Sequence, residues 1–170
     1  YDSTGREVAF CDDYRFNPDP ALHYQVPADG EYTVEVRDAI YRGREDFVYR
    51  LNIGELPFIT SVFPLGGRSG QKTVVELTGW NLPAGRITVD GRQPGVSSLS
   101  TRAGALESNH VSFASDTLPE QLEREPNGTA REAQSIPLGT SVNGRVARPG
   151  DQDVFSVTGR KGDTIVAEVT

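Results

Sequence analysis

The hydrophobic and polar positions along this chain alternate with a period of two. In residues 31–38 (EYTVEVRD) the apolar side chains of Tyr32, Val34 and Val36 share one face, as in a half-buried strand. Residues 46–53 (DFVYRLNI) alternate in the same way. The pattern predicts further strands at residues 6–10, 21–26, 58–63, 72–78, 86–90, 110–114, 141–146, 152–158 and 164–170.

Helical periodicity is almost absent, and only residues 129–134 are typical of a single helical turn. Turn-forming pairs such as Asp29-Gly30, Asp90-Gly91 and Asn143-Gly144 separate the predicted strands. About a dozen short strands separated by turns predict an all-β fold built from β-sandwiches.

The composition argues against several classes of function. The 170 residues carry 17 basic and 24 acidic side chains, and this net charge of −7 argues against a nucleic-acid partner. No apolar run is long enough to insert into a membrane. One cysteine, Cys11, excludes an intrachain disulfide, and two histidines leave little material for zinc or acid–base chemistry. The sequence has no methionine, so we expect a piece of a longer protein.

Charge divides the chain into three parts. Residues 1–56 hold six basic and twelve acidic residues, residues 57–115 five and three, and residues 116–170 six and nine. With linkers at the boundaries, we expect one domain over residues 1–54, a second over 57–115, and a linker and third segment over 116–170. One continuous sandwich with uneven charge is the alternative.

The middle segment resembles a known family. Residues 57–82 read PFITSVFPLGGRSGQKTVVELTGWNL, with a strand, a Gly-rich turn, a second strand and Gly-Trp-Asn-Leu. This order resembles the opening of the IPT/TIG family of immunoglobulin-like domains. The resemblance implies an immunoglobulin-like sandwich over residues 57–115 that acts as a spacer or protein-contact module, without catalytic residues.

Both flanks resemble a second family. Residues 122–170 contain EPNGT, then AQSIP, then GDQDVF, an ordered series similar to the start of the bacterial pre-peptidase C-terminal (PPC) domain. Residues 1–54, with PADGEY followed by an alternating strand, look like the second half of such a domain. The resemblance implies jelly-roll-like segments and an extracellular, cell-surface or periplasmic location. Each half alone would expose an apolar face, so we expect the halves to pair within one chain or as a strand-exchanged homodimer.

The same resemblance implies a calcium site. In collagenase-type relatives, calcium is bound by a Glu-x-Glu-x-Asn stretch and by the Asp pair of Gly-Asp-x-Asp. The corresponding positions here are Glu123, Glu125, Asn127, Asp151 and Asp153. Gly128 stands where those relatives often supply another oxygen. The residues themselves are compatible, because Ca²⁺ takes six to eight hard oxygen ligands. The alternative is a solvated linker with two turn-forming aspartates.

Other candidate chemistry is weaker. Asp12, Asp13 and Asp19 lack the spacing of an EF-hand loop and suit turns instead. Residues 66–73 lack the contiguous Gly-Lys-Ser/Thr of a phosphate-binding loop and run into a predicted strand. No nucleophile elbow and no His-Glu-x-x-His occurs, so we expect no enzymatic activity.

The sequence therefore predicts a non-catalytic, extracytoplasmic adhesion, spacer or targeting module of a larger secreted or surface protein, stabilised by calcium. Its partner would be a protein or a polysaccharide. One alternative is a polysaccharide- or protein-fibre-binding module, which adjacent aromatics on one flat face would favour; its candidates are Tyr14, Tyr41, Tyr49 and Trp80. The other alternative is an accessory segment of a secreted peptidase.

Overall fold

The structure is a computed structural model that describes residues 1–15 and 17–169. The chain forms two compact units, Tyr1–Gly54 and Glu55–Thr170. The described residues form strands, turns and irregular segments without any helix, which confirms the all-β class. Among these residues there is accordingly no helix able to cross a bilayer.

All strands that the described residues form lie in the second unit. In chain order they are β1 (Phe58–Phe63), β2 (Gly66–Arg68), β3 (Lys72–Trp80), β4 (Arg86–Asp90), β5 (Gly95–Leu99), β6 (Arg102–Ala103), β7 (Leu106–Glu107), β8 (Val111–Asp116), β9 (Glu120–Leu122), β10 (Gln134–Ser135), β11 (Ser141–Asn143) and β12 (Phe155–Ser156).

Two three-stranded sheets contribute to one hydrophobic core. The first has the order β1-β3-β4 and is antiparallel, while the second has the order β2-β8-β5, with β2 parallel to β8. Alternation along β3 buries Val75 and Leu77 and leaves Val74 exposed. We call these six strands and their shared interior the two-sheet core. Its buried side chains are Ile59, Val62, Val75, Leu77, Val89, Leu99 and Phe113.

Strand β1 has β3 on one side and a side chain on the other. The Oδ1 of Asn109 accepts a hydrogen bond from the Ile59 amide at 2.6 Å, and its Nδ2 donates to the Ile59 carbonyl at 3.0 Å. Asn109 thus satisfies the two backbone groups that a neighbouring strand would otherwise bind. On the opposite side Ile59 pairs with Gly79 of β3.

The remaining strands form short pairs: β6 with β7, β9 with β11 and β10 with β12, the last two parallel. Strand β9 lies in the linker that the sequence predicts at the start of residues 116–170. The single helical turn expected at residues 129–134 is instead a hydrogen-bonded turn, in which the Glu132 amide donates to the Thr129 carbonyl at 3.0 Å. Strand β9 forms because it pairs with β11. A neighbouring strand supplies backbone hydrogen bonds, and these can form a strand in a segment without apolar alternation.

The middle of the chain agrees best with the predicted strands. Those at 58–63 and 86–90 have the predicted bounds, and the one at 72–78 extends to Trp80. Strand β8 begins one residue later than predicted and runs to Asp116. The predicted strands at 141–146 and 152–158 shorten to β11 and β12. Strands β2 and β5 were not predicted, because glycine and serine give them no apolar alternation.

In the first unit the predicted strands are wrong. Residues 6–10, 21–26, 31–38 and 46–53 form no strand, and neither do residues 164–169 of the second unit; residue 170 lies outside the described part. Tyr1 and Thr33 do exchange both backbone hydrogen bonds, at 2.8 and 2.9 Å, but no ladder continues from this pair. The alternation is present, yet a strand requires a row of backbone partners.

A close approach inside the two-sheet core gives a stability prediction. A Cβ on Gly79 would lie 2.0 Å from the Phe58 carbonyl oxygen, which is backbone and can move only with β1. We expect Gly79→Ala to lower the free energy of unfolding by about 1–3 kcal/mol, as overpacking does. Urea denaturation followed by Trp80 fluorescence measures it.

The matched control is Gly85→Ala, whose Cβ would come no closer than 4.0 Å to the Leu77 carbonyl oxygen. We expect this exposed site to change stability by less than about 0.5 kcal/mol. Equal effects of the two substitutions would contradict the close approach at Gly79.

Candidate metal centre

Two aspartates are positioned by a turn and by the strand that follows it. The Asp151 amide donates to the Arg148 carbonyl at 3.1 Å, and Asp151 Oδ2 accepts from the Ala147 amide at 2.7 Å. Gly150 allows this turn because its φ is +83°. Three residues after Asp151, the Val154 amide donates to the Asn127 carbonyl at 3.0 Å. This bond brings Asp153 beside the chain at Asn127.

Glu125 is held at the same place. Its Oε2 accepts a hydrogen bond from the Asn127 amide at 2.9 Å. Glu125, Asp151 and Asp153 each offer a carboxylate oxygen, and these oxygens all lie within 4.8 Å of one another. Oxygens bound to one Ca²⁺ at about 2.4 Å are separated by at most about 4.8 Å. The three carboxylates, which we call the acidic group, therefore have a spacing that a single cation can bridge.

Glu123 lies beside the acidic group and is positioned by its neighbours in the chain. The Gln134 side chain accepts from the Arg124 amide at 2.7 Å and donates to the Leu122 carbonyl at 3.2 Å, on either side of Glu123. The Glu123 amide donates to the Asn143 carbonyl at 2.9 Å, and Glu123 Oε1 accepts from the Arg145 amide at 2.6 Å.

The electrostatics of Glu123 place it near all three members of the acidic group. Burial is the main reason that its pKa lies above the usual range, and the negative charges of Asp153, Glu125 and Asp151 raise it further. The hydrogen bond from the Arg145 amide acts in the opposite direction. Glu123 is thus a half-buried carboxyl group, with one buried oxygen, near other acidic side chains.

Several buried oxygens here have no partner. Within residues 1–15 and 17–169, Glu123 Oε2, Asp153 Oδ1 and both amide atoms of Asn127 make no hydrogen bond. Asn127 is fully buried, at 0% exposure. In the same part of the chain, no ion pair involves Glu123 or the acidic group. Buried polar groups are nearly always bonded, so this arrangement has the donor set and the unbalanced charge that a hard cation would satisfy.

The structure thus brings three of the five predicted residues into one group and places the other two beside it. The negative charges of the acidic group raise the pKa of Glu123. The Asn127 backbone is hydrogen-bonded to Glu125 and to Val154. Sequence reasoning missed Asn143, Gly144 and Arg145, which hold Glu123 in place. The one indication in the sequence was that Asn143-Gly144 can form a turn. A turn motif does not show which groups these residues contact.

The other candidate sites lack comparable geometry. Asp19 takes part in an Asx turn, donating its amide to Asn17 Oδ1 at 3.1 Å, and Asp12, Asp13 and Asp19 form no metal-binding group within the described ranges. Gly66–Arg68 and Lys72–Trp80 are strands, so the glycine-rich segment between them opens no helix. Phosphate binding of the P-loop type needs that helix.

The aromatic candidates differ in exposure. Trp80 is half-buried and stacks on Phe58, its cross-strand neighbour, with ring centroids 5.1 Å apart and planes at 24°. Tyr14 is also half-buried, while Tyr41 and Tyr49 are 77% and 73% exposed in the first unit. Arg37 lies over the Tyr41 ring at 5.3 Å. Trp80 therefore packs against a neighbouring strand at the end of β3, as expected for a lone tryptophan in such a domain.

One contact series has the residue types of a catalytic triad. Ser98 Oγ lies 2.9 Å from His110 Nδ1, and His110 Nε2 lies 3.8 Å from Glu107 Oε1. The His110 side chain is 61% exposed. Glu107 also accepts from Ser100 and Arg102, and these bonds lower its pKa. These side chains form a polar network that is open to solvent.

Comparison of the chain with protein-family models, with curated proteins and with solved structures gives no match.

The raised pKa of Glu123 predicts a dependence of stability on pH. In the folded protein its ionisation becomes costly as the pH rises above the ordinary glutamate pKa of 4.5 and through the raised value. In a chelating buffer we expect Glu123→Gln to melt about 1–3 °C above the wild type near pH 7. Thermal scans should show this difference shrinking towards pH 4, where Glu123 is protonated in both states.

Glu55→Gln is the control, because Glu55 is exposed and its substitution should not change the melting temperature with pH. A difference between Glu123→Gln and the wild type that is constant from pH 4 to pH 7 would argue against the buried carboxylate.

Proposed function

We propose that this chain is a non-catalytic spacer or adhesion module that works outside the cytoplasm and is stabilised by Ca²⁺. The observation that supports the proposal most strongly is the acidic group, with buried and unpartnered oxygens at Glu123, Asn127 and Asp153 next to it. The resemblance of the flanks to PPC domains and of the middle to IPT/TIG domains agrees with this assignment.

Calcium suits this donor set better than a transition metal. The group offers carboxylate and amide oxygens, while zinc and copper sites favour histidine nitrogen and cysteine sulfur. Glu125, Asp151 and Asp153 would bind the ion directly. Glu123 Oε2 and the side-chain oxygen of Asn127, Oδ1, are further candidate ligands. Bound there, the cation would neutralise the mutual repulsion of four carboxylates.

A structural role follows from where the site lies. Its candidate ligands come from a first stretch, residues 123–127, and from a third stretch, residues 151–153. Between them in sequence lies a second stretch, Gly144–Arg145, which contacts Glu123. A cation that joins the first stretch to the third would fix the fold of the segment after the two-sheet core. This is how a spacer gains stiffness without a larger core.

The two alternatives have less support. A polysaccharide- or fibre-binding face would need adjacent exposed aromatics, but Trp80 is stacked on Phe58. A role as accessory segment of a secreted peptidase depends on sequence outside this chain. No contact or distance among the described residues specifically supports either alternative function.

Calcium titration tests the proposal. We expect the wild-type chain to bind about one Ca²⁺ with a dissociation constant of roughly 0.1–1 mM, as extracellular modules do. Isothermal titration calorimetry in chelator-treated buffer measures it, and the melting temperature should rise in the same buffer. Asp153→Asn and Asp151→Asn should each abolish or greatly weaken both effects.

Asp163→Asn is the matched control for the loss of a turn. Asp163 accepts from the Arg160 amide at 2.6 Å and closes a turn like that of Asp151, but it lies outside the acidic group. It should leave calcium binding unchanged. A wild-type chain that gives neither heat nor a shift in melting temperature at millimolar Ca²⁺ would refute the proposed function.

A second copy of the chain is the partner that we propose for the uncovered apolar side chains of the first unit. Val34 and Val36 are 50% and 48% exposed, Leu51 is 48% exposed, and their segments lack ladder partners. The strand-exchanged homodimer expected from the sequence would supply both apolar contact and backbone partners. Multi-angle light scattering should give a dimer mass at micromolar concentration, and a monomer at every concentration would exclude exchange.

A further inference from the structure

Residues 143–147, which we call the docking arm, join the acidic group to the two-sheet core. Asn143 fixes the beginning of the arm: its Oδ1 accepts from the Leu65 and Gly66 amides at 2.9 and 3.2 Å. Its Nδ2 donates to Glu120 Oε2 at 2.6 Å. One side chain thus ties the start of β2 to both β9 and β11.

Arg145 fixes the next part of the arm to the outer face of the first sheet. Its Nη2 donates to Glu76 Oε2 at 3.1 Å, and its Cζ lies 3.8 Å from the centre of the Phe63 ring. Phe63 and Glu76 are direct cross-strand partners on β1 and β3, so Arg145 contacts both strands at once. The arm and these strands line a groove of about 540 Å³.

The backbone of the same residue contacts the acidic side. The Arg145 amide donates to Glu123 Oε1 at 2.6 Å, while Glu123 Oε2 is buried without a hydrogen bond to any described residue. A Cβ on Gly144 would collide with Glu123 Oε2, so with any other residue at position 144 the Glu123 side chain would have to shift. Arg145 therefore links Glu123 to the first sheet, and the end of the arm reaches the acidic group directly, because the Ala147 amide donates to Asp151 Oδ2 at 2.7 Å.

We propose that cation binding at the acidic group and docking of the arm on the two-sheet core are coupled through Glu123 and Arg145. The cation would thereby control how firmly the segment after the core is held against the first sheet. This inference rests on the proposed function, because it requires the cation site. Coupling between two binding events is reciprocal, so contacts on the core face must in turn affect the affinity for the cation.

The sign of the effect distinguishes coupling from simple electrostatics. Arg145 is a positive charge, and its neutralisation by Arg145→Gln removes a repulsion that would weaken cation binding. Electrostatics alone therefore predicts tighter binding by this variant. Coupling predicts weaker binding, because the arm loses its contacts with Glu76 and Phe63 and no longer fixes Glu123. Phe63→Leu removes the ring under Arg145 without any change in charge.

The experiment is a calorimetric titration of Ca²⁺ into the full chain and its variants. We expect Arg145→Gln and Phe63→Leu each to raise the dissociation constant about fivefold to tenfold. Arg148→Gln is the matched control: it removes an exposed positive charge three residues from Arg145, next to the acidic turn, and leaves the arm contacts intact. It should bind Ca²⁺ as tightly as the wild type or more tightly. Circular dichroism in chelator verifies that each variant is folded.

Trypsin cleavage after Arg145 gives a second readout. We expect Ca²⁺ to slow cleavage of the Arg145–Val146 bond in the wild type and to protect it much less in Phe63→Leu, as followed by mass spectrometry. Wild-type affinity in both arm variants, or tighter binding by Arg145→Gln, would overturn the coupling while the calcium site stands. A wild-type chain that does not bind Ca²⁺ would overturn the proposed function and the coupling together.

Discussion

The segment that follows the two-sheet core converges on the Glu123 carboxylate. One of its oxygens accepts the Arg145 amide, and the other is buried near three further carboxylates. Gln134 holds the backbone on both sides of it. A buried carboxylate oxygen among like charges is costly unless it is compensated, and among the described residues only the Arg145 amide bonds this carboxylate.

The two-sheet core is stable for a different reason. Its interior is apolar, and both sheets contribute side chains such as Val75 and Phe113 that are almost fully buried. Burial of this kind needs no ion and tolerates no extra volume, as the contact between Gly79 and Phe58 illustrates. The chain therefore combines a domain held by apolar packing with a segment whose polar interactions remain incomplete, and the docking arm is where the two meet.

In the first unit, segments with the alternation of strands do not form strands, because they lack rows of backbone partners. Its alternating segments have the residues of strands, yet within the described part of the unit two backbone bonds are exchanged only between Tyr1 and Thr33 and between Tyr14 and Asn17. Apolar side chains such as Val34 and Val36 consequently stay half exposed. An extended segment becomes a strand through its neighbours, and such unpaired segments are open to another chain.

The resemblance of residues 122–170 to PPC domains, and no local pattern, indicated Glu125, Asp151 and Asp153 as a group. The sequence by itself determined the all-β class and the bounds of β1 and β4. These features depend on local alternation and on residue type, which are visible along the chain. Tertiary structure alone decided that β9 pairs with β11 and that residues 31–38 form no strand. It alone gave Asn143, Gly144 and Arg145 their roles around Glu123. Backbone partners and close approaches between distant residues fix these outcomes, and no local pattern encodes them.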